Sequence, residues 1–396
     1  MNLIRHPTGP EIVERLRASG LRGRGGGWFP AWQKWQAVRA EGGEPVVVAN
    51  GAEGEPGSAK DQVVMIEQPR QVLEGLALAA KSVGASEAII YLKGSFRRPQ
   101  AALEGAMAGA VLDGIDIRIH RGDESYVSGE ETALLEVLEG RRPWPRPKPP
   151  LPAAVGYQER PTLVQNVETL SRVPAALADP SAYRAGETTL VTLWGHLPRP
   201  GVYEVPLGTP LSRLIDEFGG GASSGVGLVF PAGPSAPPLS AGDLAAPLDP
   251  DALTALGSAL GTASILVLGS SVCPVAAALS AAAFFERESC GQCPPCSLGS
   301  ASLARVVRGL EGGDTRAKEV GSLREIAAFM AGHGYCAHGR TGAAVVMGVL
   351  DRFAADVQAH LAGGGCPQRQ AACDPFAPGS AEQRALAAAL AGRIGD

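Results

Sequence analysis

Residues Pro45 to Gly57 read PVVVANGAEGEPG, an apolar run that passes directly into a loop with three glycines and two glutamates. Apolarity that is continuous rather than alternating marks a strand covered on both faces, as in parallel sheets. Working outward, Gln71–Ser82 predicts a helix, Ala88–Leu92 (AIIYL) a strand, Arg98–Ala110 a helix and Ile115–Ile119 (IDIRI) a further strand. This alternation defines an α/β layer on a mostly parallel sheet. Ligands on such sheets gather at the carboxyl ends of the strands, where the Asn50–Gly57 loop falls.

The 396 residues suffice for two or three domains of roughly 150 residues each. The 52 glycines and 32 prolines follow no G-x-y period, so they belong to loops of special geometry rather than to a collagen-like rod. A formal charge of −5 argues against nucleic acid as a partner, since such binders carry a basic footprint. The opening MNLIRHPTGPEIVERL lacks an apolar signal core, which places the chain in the cytoplasm, alone or at the periphery of a membrane complex. Ala252–Phe285 runs 34 residues without a charge, but Gly257, Gly261, Gly269 and Pro274 interrupt it. It reads as a buried strand (Ser264–Leu268) and a helix (Val275–Phe285), with no membrane span.

Composition divides the chain into an α/β domain (1–186), a small β-rich module (187–272), a helical bundle (273–365) and a peripheral tail (366–396). Glu139–Pro152, EGRRPWPRPKPPLP, is an extended basic loop because proline recurs too often for a helix. Thr188–Trp194 and Gly201–Val205 predict strands and Leu211–Phe218 a helix, while the uncharged Gly219–Gly242 predicts an ordered loop or linker. Leu303, Val306, Val307 and Leu310 share a helical face. So do Val320, Leu323, Ile326 and Met330, and Val346, Leu350, Phe353, Val357 and Leu361 follow a near-heptad spacing.

Of seven cysteines, Cys290, Cys293 and Cys296 form C-x2-C-x2-C, and Cys336 lies 40 residues further on. Three close thiolates wrap one face of an iron–sulfur cube and a fourth from elsewhere closes it, so the pattern favours a [4Fe–4S] cluster. A four-cysteine zinc site and four unrelated buried cysteines are the competing readings. Cys273, Cys366 and Cys373 have no comparable spacing and receive no role.

Further glycine loops surround the opening stretch. Gly20–Pro30 reads GLRGRGGGWFP, followed by Lys34; Tyr126–Leu135 reads YVSGEETALL; Pro161–Leu170 reads PTLVQNVETL. Successive glycines let main-chain amides approach a phosphate or a flat ring, with Arg22, Arg24 and Lys34 supplying positive charge. Taken in order with the RPKPP loop and ESCGQCPPC, these strings resemble the NADH-binding flavoprotein subunit of respiratory complex I and its relatives in NAD-linked formate dehydrogenases and hydrogenases, over residues 15–365. The resemblance implies a Rossmann-like flavin and dinucleotide domain, a β-grasp (ubiquitin-like) module, and a helical bundle holding the [4Fe–4S] cluster on Cys290, Cys293, Cys296 and Cys336. It implies oxidation of NADH through FMN and single-electron transfer to the cluster. From there electrons pass to a small [2Fe–2S] thioredoxin-like subunit or a ferredoxin-type protein within a larger oxidoreductase complex.

Carried over by position, the resemblance puts Gly23, Gly25, Lys34, Asn50, Glu53, Gly129 and Asn166 at the FMN site and Phe29, Glu55, Glu131 and Lys148 at the dinucleotide. Arg24, Gly26 and Glu130 join the cofactor-binding set, and no residue is nominated as a covalent catalyst. A carboxylate at Glu131 beside the adenosine ribose repels a 2′-phosphate and favours NAD over NADP. The chain departs from the family at Ala52, which replaces an aspartate, at Trp28, which replaces a glycine, and at Ala37 and Leu151, where aromatics are thinned. These departures keep two alternatives open: a flavin and iron–sulfur protein fed by another donor such as ferredoxin, or a cluster-only relay. His338, in CAHGRTG, is expected at the surface.

Overall fold

Of the 396 residues, the computed structural model describes 7–109, 114–367 and 373–395. They form two compact units: residues up to Gly54, Ala59–Thr188 and the chain from Arg393, and then Glu55–Ser58 with Thr189–Gly392.

In the first unit, α1 (Gly9–Ser19) and α2 (Ala31–Glu41) precede β1 (Val46–Gly51). Helices α3 (Lys60–Glu67) and α4 (Pro69–Val83) lead to β2 (Glu87–Lys93), α5 (Arg97–Met107) to β3 (Asp116–Gly122), and α6 (Glu131–Leu138) to β4 (Thr162–Asn166). Then follow α7 (Val167–Ala178) and α8 (Pro180–Ala185). The expected helix end at Ala110 lies outside the described residues. All four strands are parallel, in the order β3-β2-β1-β4. Val46, Val47, Val48 and Ala49 are fully buried, as the unbroken apolar run requires.

Strand β1 has β2 on one side and β4 on the other, so the winding reverses there and opens the crevice in which ligands of such sheets settle. The register pairs Asn50 with Asn166, so both asparagines leave the sheet at the same carboxyl edge. Gly75 of α4 permits a backbone-to-backbone crossing with α7, since a Cβ there would lie 1.9 Å from the Leu170 carbonyl oxygen.

The second unit contains β5 (Thr188–Gly195), β6 (Gly201–Pro206), α9 (Leu211–Arg213), β7 (Val226–Pro234), β8 (Leu239–Ser240), α10 (Pro250–Ala255) and β9 (Ser264–Gly269). The sheet order is β6-β5-β9-β7-β8. Strands β7 and β8 occupy the stretch expected to be loop or linker. Leu228, Val229 and Phe230 are fully buried and β7 pairs antiparallel with β9, while interspersed glycines hide that strand in the sequence. The expected helix at Leu211–Phe218 is α9 followed by a π-turn over Leu214–Phe218.

Helices α11 (Pro274–Arg287), α12 (Pro294–Gly312), α13 (Ala317–His333), α14 (His338–Arg352), α15 (Ala354–Gly363) and α16 (Ala381–Ile394) complete the chain. Leu303, Val307, Leu310, Leu323, Val346 and Val357 share one core. The near-heptad run breaks at Phe353, between α14 and α15. Among the described residues, no helix is long and apolar enough to cross a membrane. Within the stretch expected to be a peripheral tail, Phe376 is 1% exposed, with its ring edge-on to Phe230 at 5.3 Å and to Trp194 at 6.2 Å. One aromatic anchor in a Gly- and Ala-rich tail escapes a compositional reading; residues 368–372 of that tail lie outside the described set.

Candidate cofactor sites

The Gly20–Pro30 loop folds back on itself between α1 and α2, with Gly23 N donating to Phe29 O at 2.8 Å and a bridge between Arg22 and Pro30. Arg24 pins it from below. Its backbone N–H donates to Thr169 Oγ1 at 2.8 Å, its buried guanidinium pairs with Glu187 at 2.6 Å, and the same group lies 4.2 Å from the centre of the Trp28 ring. The glycines thereby present bare backbone. A Cβ on Gly25 would meet Asn166 Cβ at 3.2 Å, and one on Gly129 would meet Ala52 O at 2.9 Å.

A cavity of about 320 Å³ opens where this loop meets the ends of β1 and β4. Its lining takes in ten of the expected residues: Gly23, Gly25, Phe29, Lys34, Asn50, Gly129, Glu130, Glu131, Lys148 and Asn166. Ala31, Val164, Gln165, Gly27 and Trp28 complete it. Asn50 is fixed by donating from Nδ2 to Gly129 O (2.8 Å) and accepting at Oδ1 from Ala52 N (3.1 Å). Asn166 caps α7 by accepting from Glu168 N and Thr169 N, and donates to Asp61 Oδ2 at 2.8 Å. Gln165 Oε1 accepts from the buried Trp35 indole at 3.1 Å.

Four expected residues are absent from the lining. Arg24 supports the loop from beneath, and Gly26 supplies a turn at φ 114. Glu53 accepts from Asp61 N and Gln62 N at the start of α3. Glu55 is buried in the second unit, its Oε1 3.3 Å from where a Gly233 Cβ would stand. Trp28 is only 5% exposed and stands in the wall rather than in the opening.

Charge at the rim is organised around Glu131. Burial alone would raise its carboxyl, but Lys34 (2.7 Å) and Lys148 (2.9 Å) overcome that and hold it at about 2. Lys148 also reaches Glu130, whose other oxygen caps α6 through Thr132 N and Ala133 N. Below lies a network to which the sequence motifs assign no role. Lys60 bridges Asp61 at 2.7 Å and Glu168 at 2.9 Å, with Arg172 3.1 Å from Glu168. Burial acts to raise the Glu168 carboxyl, yet Lys60 and then Arg172 hold it at about 2.

In the second unit, Cys293 precedes α12 at its N-cap, Cys296 sits in its first turn, and Cys336 stands just before α14. Helix N-termini favour thiolates. Gly339 of α14 brings that helix against the triplet, since a Cβ there would lie 3.4 Å from Cys296 Sγ. Burial pushes the Cys290 and Cys296 thiols up, a penalty that ligation removes by replacing the proton with iron. The four-thiol donor set on two helix starts fits an iron–sulfur cluster. His338 is buried rather than superficial: Nε2 lies 2.8 Å from Phe285 O, its ring is edge-on to Phe285, and burial lowers its pKa.

A parallel-sheet unit with a glycine-walled cavity, and a second unit whose helices carry four cysteines, define the class of flavin and iron–sulfur electron-transfer proteins. Residues 16–175 match the Nuo51 FMN-binding domain, 190–234 the SLBB domain, and 276–360 the NADH-ubiquinone oxidoreductase-F iron-sulfur binding region. The chain is 38% identical over 382 residues to the second F-type subunit of NADH-quinone oxidoreductase from Rhizobium meliloti, covering 91% of each chain. It is 36% identical over 379 residues to the corresponding F-type protein of Streptomyces coelicolor, covering 90% of this chain and 84% of that one. An NAD+-reducing [NiFe]-hydrogenase in the H2-reduced state superposes with a TM-score of 0.82 at 31% identity; the match covers 91% of this chain and 64% of the hydrogenase chain. The chain belongs to the family of NADH-quinone oxidoreductase F-type subunits.

Proposed function

We propose that this chain oxidises NADH through FMN held in the first unit and passes electrons to a [4Fe–4S] cluster on Cys290, Cys293, Cys296 and Cys336. When bound, the flavin accepts electrons as a hydride and gives them up singly. The protein binds and positions. Gly23, Gly25 and Gly27 let backbone approach the cofactor, and Asn50 and Asn166 present amides already fixed by the bonds described above. Phe29, 54% exposed, offers an open ring face to adenine. Glu131, ionised at neutral pH, favours a ribose without a 2′-phosphate. Lys148 meets the diphosphate as it leaves its two glutamates.

The cavity at the ends of β1 and β4, where the glycine loop, both asparagines and the Lys34–Glu131–Lys148 set converge, carries this reading. Family membership supports NADH as the donor, and Trp28, which lines the cavity, is buried in its wall. Leu298, two residues past Cys296, and Tyr335, next to Cys336, are exposed apolar residues suited to docking an acceptor. That acceptor is a small [2Fe–2S] thioredoxin-like subunit or a ferredoxin-type protein in a larger complex. The test is an anaerobic titration of FMN-loaded, cluster-containing protein with NADH. Bleaching of the flavin band and NADH-dependent dye reduction are expected. A flavin that stays oxidised, with FMN content verified by extraction, refutes the proposal.

A further inference from the structure

Besides the four cluster cysteines, a second set of metal-binding side chains converges in the helical part of the second unit. Cys273 is the N-cap of α11, Glu311 lies in the last turn of α12, His360 is in α15, and Cys366 follows α15 past Gly364 and Gly365. One ligand atom from each lies within 4.8 Å of all the others. Cys273 Sγ is 3.4 Å from His360 Nε2 and 3.9 Å from Glu311 Oε2, and those last two atoms are 3.1 Å apart. Tetrahedral zinc, with bonds of about 2.3 Å to sulfur and about 2.0–2.1 Å to nitrogen or oxygen, has ligand-to-ligand edges of roughly 3.3–3.8 Å. The three edges among Cys273, Glu311 and His360 straddle that span, and the Cys366 thiol lies within 4.8 Å of each of them.

The surroundings are those of a ligand set. His360 Nδ1 donates to the Asp356 carbonyl at 2.7 Å, which fixes the ring and leaves Nε2 turned toward the thiol and carboxylate, as second-layer partners of metal-bound histidines do. Cys366 N donates to Glu311 O at 3.0 Å and Gly365 N to His360 O at 3.0 Å, so the loop is tied to two ligand helices. The approach is close enough that a Cβ on Gly313 would stand 1.9 Å from Gly364 O. Among the described residues Glu311 has no lysine or arginine partner; its one ion-pair partner is His360, itself 2% exposed. Two thiols and a carboxylate around one imidazole lack positive charge, and a divalent cation supplies it.

We propose that Cys273, Glu311, His360 and Cys366 form a structural zinc site. Thiolate and imidazole ligands select zinc over magnesium or calcium, and four protein ligands leave no open position for catalysis. The ion ties α11, α12 and α15 together. Since α12 carries Cys296 at its start and Glu311 15 residues later, the zinc sits about 22 Å along the axis from the iron–sulfur ligand.

The test is metal analysis of the full chain, purified with its cluster. About one zinc per chain is expected besides the iron of the cluster, surviving dialysis against a weak chelator. His360→Gln and Cys366→Ser should each cut zinc occupancy at least tenfold while iron and cluster absorbance remain. Cys290→Ser should lose iron and keep zinc, which separates this site from adventitious zinc on the cluster cysteines. Cobalt(II) supplied to zinc-free wild-type protein should give the intense thiolate-to-cobalt absorption of a tetrahedral sulfur site, a readout that needs no variant to fold. Zinc below a tenth of an equivalent after incubation with zinc, full zinc retention by Cys273→Ser/Cys366→Ser, or a Cys273–Cys366 disulfide in the native protein would each overturn the assignment.

Discussion

Replacing Lys60 by Met tests the buried network beneath the cavity. The Lys60 side chain is 1% exposed and lies between Asp61, 8% exposed, and Glu168, 0% exposed. Removing one partner of a buried pair costs about 3–5 kcal/mol because the other charge is left behind. Two contacts soften the loss: Arg172 stays 3.1 Å from Glu168, and Asn166 Nδ2 still donates to Asp61. The lower end, about 3 kcal/mol, is therefore expected, or a fall in Tm of roughly 6–12 °C for a unit of this size. The pH dependence identifies the mechanism. With Glu168 lowered from 4.5 to about 2, its pairing contributes stability that is present above pH 4.5 and lost as pH falls through about 2. In the variant that carboxyl titrates higher, so the deficit should be full at pH 7 and shrink below about pH 5. Native-state hydrogen exchange of the β1 and β4 amides, which reports local opening in a chain of two units, is the measurement. A deficit under about 1 kcal/mol, or one equal at pH 7 and pH 4.5, would refute the argument.

Two further outcomes follow. Glu131→Gln should raise the kcat/KM ratio of NADPH to NADH about tenfold, equivalent to about 1.4 kcal/mol, because the carboxylate that disfavours a 2′-phosphate is gone; steady-state kinetics with both nucleotides decide it. Phe376→Ala removes an anchor at 1% exposure and should destabilise the second unit by about 3–5 kcal/mol without changing flavin content, read by calorimetry beside FMN extraction.

The parallel sheet was legible because Val46–Ala49 and Ala88–Leu92 are continuous apolar runs, the plainest signature a doubly covered strand leaves. Strand β4 was not: Thr162–Asn166 is five residues long and runs straight into α7. Strand β7 was obscured by its own glycines and by the proline-rich stretch after it. At the site, ten of the residues carried over from the resemblance line the cavity, but position alone could not show that Glu53 serves the start of α3 or that Arg24 is not in the lining. Those roles depend on where a side chain turns after the backbone is placed. Glu168 illustrates the same limit, since nothing local marks it as the partner of a lysine 108 positions earlier. Cys273 and Cys366 stayed silent for a related reason: ligands drawn from three helices and a loop have no spacing rule.

The pairing of Asn50 with Asn166 makes two residues 116 positions apart neighbours by strand register alone. Among the described residues four α-helices and two strands lie between them, and the loops that join these can change length only while Gly129 stays against the Asn50 amide and Asp61 against that of Asn166. A one-residue frame error within β4 turns Asn166 to the other face of the sheet and dismantles the cavity edge. Strand register is thus a tighter constraint on this site than the length of the loops between the strands.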